Sequence, residues 1–213
     1  PNMATSDKMI GSSAAWAAGY TGAGSRIAII DTGADVDHPS LDPDALKYAL
    51  QGSNATIMTE ADLTDEVLNQ LNAYTRKAGL TAADFYVNEK IPFGFNYVDA
   101  DTDITHDNDT QGDHGSHVTG IAAGNRFVKD EAGNYVAALD SVMTQGVAPD
   151  AQILTMKVFG KGGGAYDSDY MVAIEDAMVL GADAANLSLG GSFPGYSEYT
   201  EEKYRHILDE IVG

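Results

Sequence analysis

The sequence contains no cysteine and no long apolar segment among its 213 residues. The absence of cysteine excludes disulfides, a thiolate nucleophile and cysteine-ligated zinc. It is compatible with a cytosolic protein and equally with an exported bacterial protein that has no disulfides. No stretch approaches the roughly 20 apolar residues that a membrane-spanning helix requires, so no span is predicted in this segment. Residues 1–7 lack the basic region and apolar core of a signal peptide, so we expect the targeting segment of an exported parent to have been removed already.

Basic residues are also scarce. The chain carries 12 lysines and arginines against 32 aspartates and glutamates, which gives a formal net charge of -20. Because binding to phosphates requires clustered basic side chains, a nucleic acid partner is not expected. An acidic surface favours solubility, cation binding and basic partners. The length suits one domain with a sizeable core.

Short apolar runs alternate with helix-like segments along the chain. The predicted strands are 26–30, 91–98, 152–159 and 184–189, and the predicted helices are 8–18, 64–78, 114–123, 168–180 and 201–212. This alternation predicts an α/β domain with a mostly parallel sheet and helices on both faces. Residues 125–145 are predicted to form a loop or a hairpin around Gly133-Asn134, and about 38–90 an insert-like surface subregion.

Asp31 follows the apolar strand 26–30 directly, and Thr32-Gly33 then lets the chain turn sharply. In open parallel sheets, functional groups gather at the carboxyl ends of the strands. Asp31 is therefore a candidate catalytic acid. The alternative is that it only caps a turn.

His114 begins the segment His-Gly-Ser-His-Val-Thr-Gly-Ile, whose small residues would let a helix approach other backbone closely. A histidine placed at the start of such a helix is a candidate general base, and the alternative is a structural histidine. His117 lies three residues further on and therefore on the same surface of the helix. A metal site formed by the pair is disfavoured because no glutamate stands between them, as the zinc-peptidase motif requires.

Two glycine-containing runs lie at the carboxyl ends of the last two predicted strands: 160–164 follows the strand 152–159, and 188–191 includes the last two residues of the strand 184–189. Glycine allows another backbone to approach closely, so both runs are candidate edges for binding an extended peptide through main-chain hydrogen bonds. The alternative for each run is an ordinary loop. Neither run has a Walker or dinucleotide-binding pattern at a strand-to-helix junction, so a bound nucleotide is not predicted.

Acidic residues are dense in the loop that begins at residue 99, where Asp99, Asp101 and Asp103 alternate with other residues. Hard oxygen ligands of this kind suit calcium. The loop lacks the glycine and the closing glutamate of an EF-hand, and the alternative is a solvated acidic loop. Calcium is thus the one cofactor that the sequence suggests.

Together, these motifs resemble those of the subtilisin-like serine peptidases, or subtilases. Asp-Thr-Gly at 31–33, the histidine motif at 114–121, Lys-Val-Phe-Gly at 157–160 and Asn-Leu-Ser-Leu-Gly-Gly at 186–191 occur in the family's order. The resemblance covers about residues 9–212. It implies the three-layer subtilisin-like fold and hydrolysis of peptide bonds, which requires no cofactor. The wide spacing between Asp31 and His114, with its acidic inserts, is most similar to the lactocepin-type cell-envelope proteinases.

The resemblance implies a role for each matched position. Asp31 would orient the histidine, His114 would be the general base, His117 a second, structural histidine, and Asn186 a structural position. The edge that pairs with substrate upstream of the cut would be Gly162, Gly163 and Gly164. The opposite edge, which also walls the specificity pocket, would be Ser188, Leu189 and Gly190.

Two motifs of the family are absent from the sequence, namely Ala-Gly-Asn with the oxyanion asparagine and Gly-Thr-Ser-Met-Ala with the nucleophilic serine. We therefore expect residues 1–213 to form the N-terminal portion of a secreted or wall-attached catalytic domain. The sheet would be incomplete on its C-terminal side, and the nucleophile half would be a partner beside the peptide substrate. Alone, this portion is expected to be inactive. The alternative is an inactive subtilase-like module that binds peptides or a partner.

Overall fold

The computed structural model describes residues 3–107, 109–110, 112–190 and 205–206. The strands of this part are β1 Arg26–Asp31, β2 Phe93–Asn96, β3 Phe127–Lys129, β4 Tyr135–Ala137, β5 Gln152–Lys157 and β6 Ala184–Asn186. Four of them form one parallel sheet in the order β2–β5–β1–β6. In this register Arg26 pairs with Gln152, and Asp31 with Lys157. The predicted parallel sheet is confirmed.

The helices of the same part are α1 Met3–Ile10, α2 Ser12–Ala17, α3 Pro43–Ala49, α4 Asp65–Leu68, α5 Asn72–Arg76, α6 Ala82–Phe85, α7 His114–Ala123, α8 Ala138–Ser141 and α9 Asp167–Val179. Two short 3-10 helices are Pro39–Leu41 and Glu60–Asp62. None of the helices in the described residues is long and apolar enough to cross a membrane.

The two faces of the sheet are covered by different helices because side chains alternate along β1. Ala28 and Ile30 belong to one buried cluster, which includes Ala173 and Ala177 of α9. Ile29 belongs to a second cluster, which includes Ala123 of α7, and the partly buried Val118 and Ala122 of α7 pack against it. The central strand therefore has helices on both faces, as predicted for an α/β sandwich.

The α9 face holds the bulkier packing. Phe85, Phe93, Phe95 and Tyr97 are fully buried. The ring centroid of Phe85 lies 5.4 Å from that of Phe93 and 5.7 Å from that of Phe95, and the rings of Phe95 and Tyr97 are 5.1 Å apart. Burying each such side chain contributes roughly 1.5–3 kcal/mol to folding. Phe85 comes from the predicted insert-like stretch 38–90, which thus supplies side chains to the central core.

The prediction of one continuous helix over 64–78 is wrong, since the structure has two short helices there, α4 and α5. Asp176 of α9 accepts hydrogen bonds from the backbone N–H groups of Asn72 (2.7 Å) and Ala73 (2.9 Å). These are the first N–H groups of α5, which have no acceptor within their own helix. The helix therefore ends with α4, and a new helix, α5, begins where the carboxylate of Asp176 from α9 caps its first N–H groups.

Other boundaries also differ from the predictions. In place of the predicted helix 8–18 the structure has two helices, α1, which begins earlier at Met3, and α2, and Gly11, with φ of 83°, separates them. β2 spans only part of the predicted strand 91–98, and the predicted strand 184–189 ends at Asn186. Residues 125–145 do form a hairpin, β3–β4, with Gly133 at φ of 82° in its turn. The predicted helix 201–212 lies outside the described residues except for 205 and 206.

Candidate active site

Asp31 is the last residue of β1 and is buried, with 1% of its surface exposed. Its Oδ1 accepts hydrogen bonds from the backbone N–H of Thr32, at 2.7 Å, and from Nδ1 of His114, at 2.8 Å. Its Oδ2 is buried and has no hydrogen-bond partner among the described residues. The carboxylate is therefore held through one oxygen only.

His114 begins α7, and its side chain remains 53% exposed. A carboxylate can only accept hydrogen bonds, so contact with Asp31 assigns the proton of the neutral imidazole to Nδ1. Nε2 is then free to accept a proton from a group in front of the ring. This is the arrangement of an acid and a base in a peptidase triad. The structure thus brings together two residues that lie 83 positions apart in the sequence.

Close backbone contacts set the position of this pair. A Cβ on Gly115 would lie 2.1 Å from the carbonyl oxygen of Gly33, and a Cβ on Gly33 would lie 2.2 Å from that of Ile104. Neither position tolerates a side chain, and Gly33 also has φ of 107°. The glycines therefore allow α7 to approach the end of β1 closely enough for the 2.8 Å contact.

Hydrogen bonds fasten α7 to the same turn. Gly115 N–H donates to Oγ1 of Thr32 at 2.9 Å, and the N–H of Asp35 donates to Oγ of Ser116 at 2.7 Å. Both contacts join the first turn of the helix to residues just after β1. Thr32 and Ser116 are thus positioning residues for the pair.

Lys157 and Asp109 are a buried pair that the sequence did not point to. Lys157 ends β5, donates from Nζ to the carbonyl oxygen of Thr32 at 2.6 Å, and forms an ion pair with Asp109. A lysine buried at this depth requires compensating partners. The pair therefore ties the acidic loop to the turn that carries Asp31. The signal available in the sequence was a lysine inside an otherwise apolar strand.

The two candidate substrate edges follow strands that flank β1. Residues 160–164 form a turn after β5, in which the N–H of Gly163 donates to the carbonyl oxygen of Gly160 at 3.0 Å. Gly163 and Gly164 have φ of 79° and 94°. A Cβ on Gly162 would meet no atom within 4 Å. The run is thus open on one side, and its pairing with substrate stays a prediction.

The opposite edge comprises Ser188, Leu189 and Gly190, which follow β6. Oγ of Ser188 donates to Oδ1 of Asn186 at 2.8 Å, and a structural role for Asn186 stays a prediction. Both edges follow the carboxyl ends of β5 and β6, the parallel neighbours of β1, and therefore lie at the same end of the sheet as Asp31. Their role in binding substrate stays a prediction as well.

The loop that carries Asp99, Asp101 and Asp103 is organised by its own polar contacts. Oδ2 of Asp99 accepts hydrogen bonds from Nδ2 of Asn96 (3.0 Å) and from the N–H of Lys161 (3.1 Å). Oδ1 of Asp101 accepts one from the N–H of Asp103 (3.0 Å). Within the described residues, no group of three or more acidic or histidine side chains is arranged to hold a metal ion. Calcium binding here stays a prediction.

His117 lies away from the sheet, with an exposed side chain that lines a cavity on the outer side of α7. It has no metal-holding group around it among the described residues.

Comparison with known proteins gives a consistent result. The sequence profile described as the Subtilase family matches residues 22–210. The PI-type proteinase of Lactococcus lactis subsp. cremoris is 34% identical over 198 residues, which are 89% of this chain and 9% of that protein. The minor extracellular protease Vpr of Bacillus subtilis (strain 168) is 31% identical over 197 residues, 90% of this chain and 17% of Vpr. A C5a peptidase of Streptococcus pyogenes is 29% identical over 183 residues, 85% and 13% of the two chains. The chain therefore spans less than a fifth of these relatives.

Proposed function

The chain belongs to the subtilase family of serine peptidases, and we propose that it supplies the catalytic acid, Asp31, and the general base, His114, of an exported endopeptidase. The observation that carries this proposal is the 2.8 Å contact between Nδ1 of His114 and the buried carboxylate of Asp31. The contact needs two glycines at close backbone approach, so the fold is specialised to make it.

In the proposed reaction a serine hydroxyl attacks the carbonyl carbon of a peptide bond. Nε2 of His114 takes the hydroxyl proton and then passes it to the leaving amine. Asp31 keeps the proton of the neutral ring on Nδ1 and stabilises the imidazolium when it forms. No Gly-Thr-Ser-Met-Ala motif occurs in residues 1–213, so we propose that the nucleophile and the oxyanion asparagine come from other residues of the parent protein.

The substrate in this proposal is an extended peptide between the edges 162–164 and 188–190. Both runs are exposed or half-buried and follow strands that flank β1. The proposal that the parent is exported is supported by the relatives, one of which is named as an extracellular protease. Residues 1–213 alone would bind peptide weakly and would not hydrolyse it, since two of the groups that act on the carbonyl are missing.

A serine-directed fluorophosphonate tests the proposal. We expect the full-length parent to be labelled on a serine outside residues 1–213, and a His114→Ala variant to be labelled on the order of 10³-fold more slowly. The isolated chain should remain unlabelled. Labelling of a serine within residues 1–213 would refute the assignment of the nucleophile. A folded parent that neither reacts nor cleaves casein would instead support an inactive, peptide-binding module.

A further inference from the structure

Thr32, the residue after Asp31, is held by hydrogen bonds through each of its three polar groups. Its N–H donates to Oδ1 of Asp31 at 2.7 Å, and its Oγ1 accepts from the N–H of Gly115 at 2.9 Å. Its carbonyl oxygen accepts from Nζ of Lys157 at 2.6 Å. The first two contacts reach the carboxylate of Asp31 and the helix that begins with His114. Lys157 therefore holds a residue that contacts both sides of the pair.

Lys157 lies where the carboxyl ends of three strands meet. In the sheet register it pairs with Asp31 of β1 on one side and with Asn96 of β2 on the other. Its own carbonyl oxygen accepts a hydrogen bond from the N–H of Tyr97 at 2.8 Å, and the N–H of Val158 donates to the carbonyl oxygen of Asp31 at 2.9 Å. The backbone of Lys157 is thus fixed by its neighbouring strands, and its side chain extends from this fixed point to the turn after β1.

The ammonium group of Lys157 also forms an ion pair with Asp109, and both side chains are only 2% exposed. Asp109 belongs to the loop between β2 and α7 and lies shortly before the helix begins. The same loop contacts the turn after β1 a second time, since the N–H of Ala34 donates to the carbonyl oxygen of Ile104 at 2.9 Å. The buried ammonium group therefore joins the turn after β1 to the segment that leads into α7.

Stability alone does not account well for a buried ion pair. Taking two charges out of water costs free energy that their attraction often only offsets, and uncharged side chains of similar volume can stabilise a fold equally well. A buried pair can instead fix a geometry, because separating either charge from its partner is costly. Here the groups that it holds together are the turn that carries Asp31 and the loop that leads to His114.

We propose that the ion pair between Lys157 and Asp109 positions the acid and the base of the active site. The pair holds the carbonyl group of Thr32 from one side and the loop before α7 from the other. It thereby maintains the 2.8 Å contact between Asp31 and His114. Both members of the ion pair are positioning residues, which act through Thr32 and the loop. This inference rests on the proposed roles of Asp31 and His114.

A paired replacement separates positioning from stability. Lys157→Met and Asp109→Asn each leave one buried charge without its partner, so each should lower the urea midpoint of unfolding strongly. The double variant has no unpaired charge and should unfold at a higher midpoint than either single variant. Its kcat in the full-length enzyme should nevertheless stay about 10- to 10²-fold below that of wild type, since shifts near 1 Å in catalytic geometry have effects of that size.

The KM of the double variant should change by less than about twofold, because the ion pair acts on the acid and the base and does not belong to the proposed substrate edges. The matched control is Lys47→Met combined with Glu89→Gln, which removes an exposed ion pair of the same type (2.9 Å) and should leave kcat within about twofold. Asp109→Asn keeps the size of its side chain and provides the same readouts should the double variant fail to fold.

The ring of His114 gives a second readout that requires no catalysis. Solid-state nitrogen NMR of the histidine-labelled full-length protein distinguishes a ring nitrogen that carries a proton from one that does not. The signal of His114 is identified by its loss in His114→Ala. In the neutral ring of wild type the proton should be on Nδ1, as the contact with Asp31 requires. In the double variant it should be distributed over both nitrogens.

Two outcomes would overturn the proposal. One is a double variant whose kcat recovers together with its urea midpoint, as it would if the ion pair only stabilised the fold. The other is an unchanged position of the His114 proton in the folded double variant. An inactive wild-type protein would instead refute the proposed peptidase, and the ring signal would still decide whether the ion pair positions Asp31 and His114.

Discussion

Two buried carboxylates, Asp31 and Asp176, lie on opposite faces of the sheet and are held in opposite ways. Both oxygens of Asp176 accept hydrogen bonds, from Asn72 on one side and from Ala73 and the Tyr97 hydroxyl on the other, at 2.7–2.9 Å. Asp31 uses one oxygen for both of its contacts and leaves the other unpaired within the described residues. The two environments are equally closed to solvent, so the difference lies in the partners.

The difference indicates what each carboxylate does. Burial raises the pKa of Asp176, and hydrogen bonds from Ala73, Asn72 and Tyr97 oppose that shift, so this group depends on its partners to remain in the core. Asp176 joins α9, α5 and the residue after β2. Asp31 makes few contacts, and one of them is to an exposed imidazole. Asp31 therefore holds His114 rather than joining several elements of the core. We infer that the contacts on the α7 face position the Asp31–His114 pair, whereas the contacts of Asp176 on the α9 face stabilise the fold.

Asp31→Asn is expected to have the largest effect on activity of the variants compared. An amide can donate to Nδ1 of His114, which moves the imidazole proton to Nε2 and removes the general base. In enzymes with this triad the equivalent change lowers kcat about 10⁴-fold, and we expect a similar loss in the full-length enzyme. The free energy of unfolding should change by less than about 1 kcal/mol, since the carboxylate has few partners.

Asp37→Asn, an exposed residue six positions along the same turn, is the matched control and should leave kcat within about twofold. Steady-state kinetics and urea unfolding measure both quantities. A large stability loss with unchanged kcat in Asp31→Asn would show that the residue is structural.

Asp176→Ala should have the reverse profile. It leaves two backbone N–H groups and the Tyr97 hydroxyl buried without an acceptor, which costs about 3 kcal/mol or more. The pH-independent kcat of the folded enzyme should remain within about twofold. Glu175→Ala changes the exposed neighbour, whose Oε2 accepts a hydrogen bond from the Asn72 side chain (3.1 Å), and should cost less than about 0.5 kcal/mol. Equal midpoints in urea for the two variants would contradict the role of Asp176.

The comparison also explains which features the sequence could predict. Asp31 and His114 stand beside local patterns, an apolar strand and a small-residue helix, so both were predictable. The cap that Asp176 gives to α5 joins residues about 100 positions apart, and no local pattern announces it. The continuous helix 64–78 was therefore predicted wrongly. The ion pair between Lys157 and Asp109 and the cavity beside α7 likewise depend on how distant segments meet.

Two glycines in α7 test whether close backbone contacts on this face position the Asp31–His114 pair. Gly115→Ala should force the helix away from Gly33 and lower kcat about 10²-fold, since a shift near 1 Å has that effect on catalytic geometry. It should also cost about 1–3 kcal/mol of stability. Gly120 lies on another face of the same helix, where an added Cβ would meet no atom within 4 Å. Gly120→Ala should therefore raise stability by roughly 0.5–1 kcal/mol. Equal kinetics for the two variants would refute the close-approach argument.

Lys90 extends the comparison to a buried amine. Its Nζ donates to the carbonyl oxygens of Pro149 (2.9 Å) and Ala151 (2.7 Å), and burial lowers the pKa of Lys90 to about 7. Between that value and its ordinary pKa of 10.5 the unfolded chain binds more protons than the folded chain, so stability should rise with pH above 7. We expect a slope of about 1 kcal/mol per pH unit between pH 7 and 9.

The Lys90→Met variant should lose this slope, and Lys47→Met, at an exposed ion pair, should keep it. The upper limit of pH 9 matters because burial raises the pKa of Tyr97, which makes stability fall as the pH passes the ordinary tyrosine value near 10. Urea unfolding of the three proteins at pH 7, 8 and 9 measures the difference. An identical slope in wild type and Lys90→Met would mean that the buried amine remains charged, held by its two carbonyl partners and by nearby Asp150, which opposes the shift.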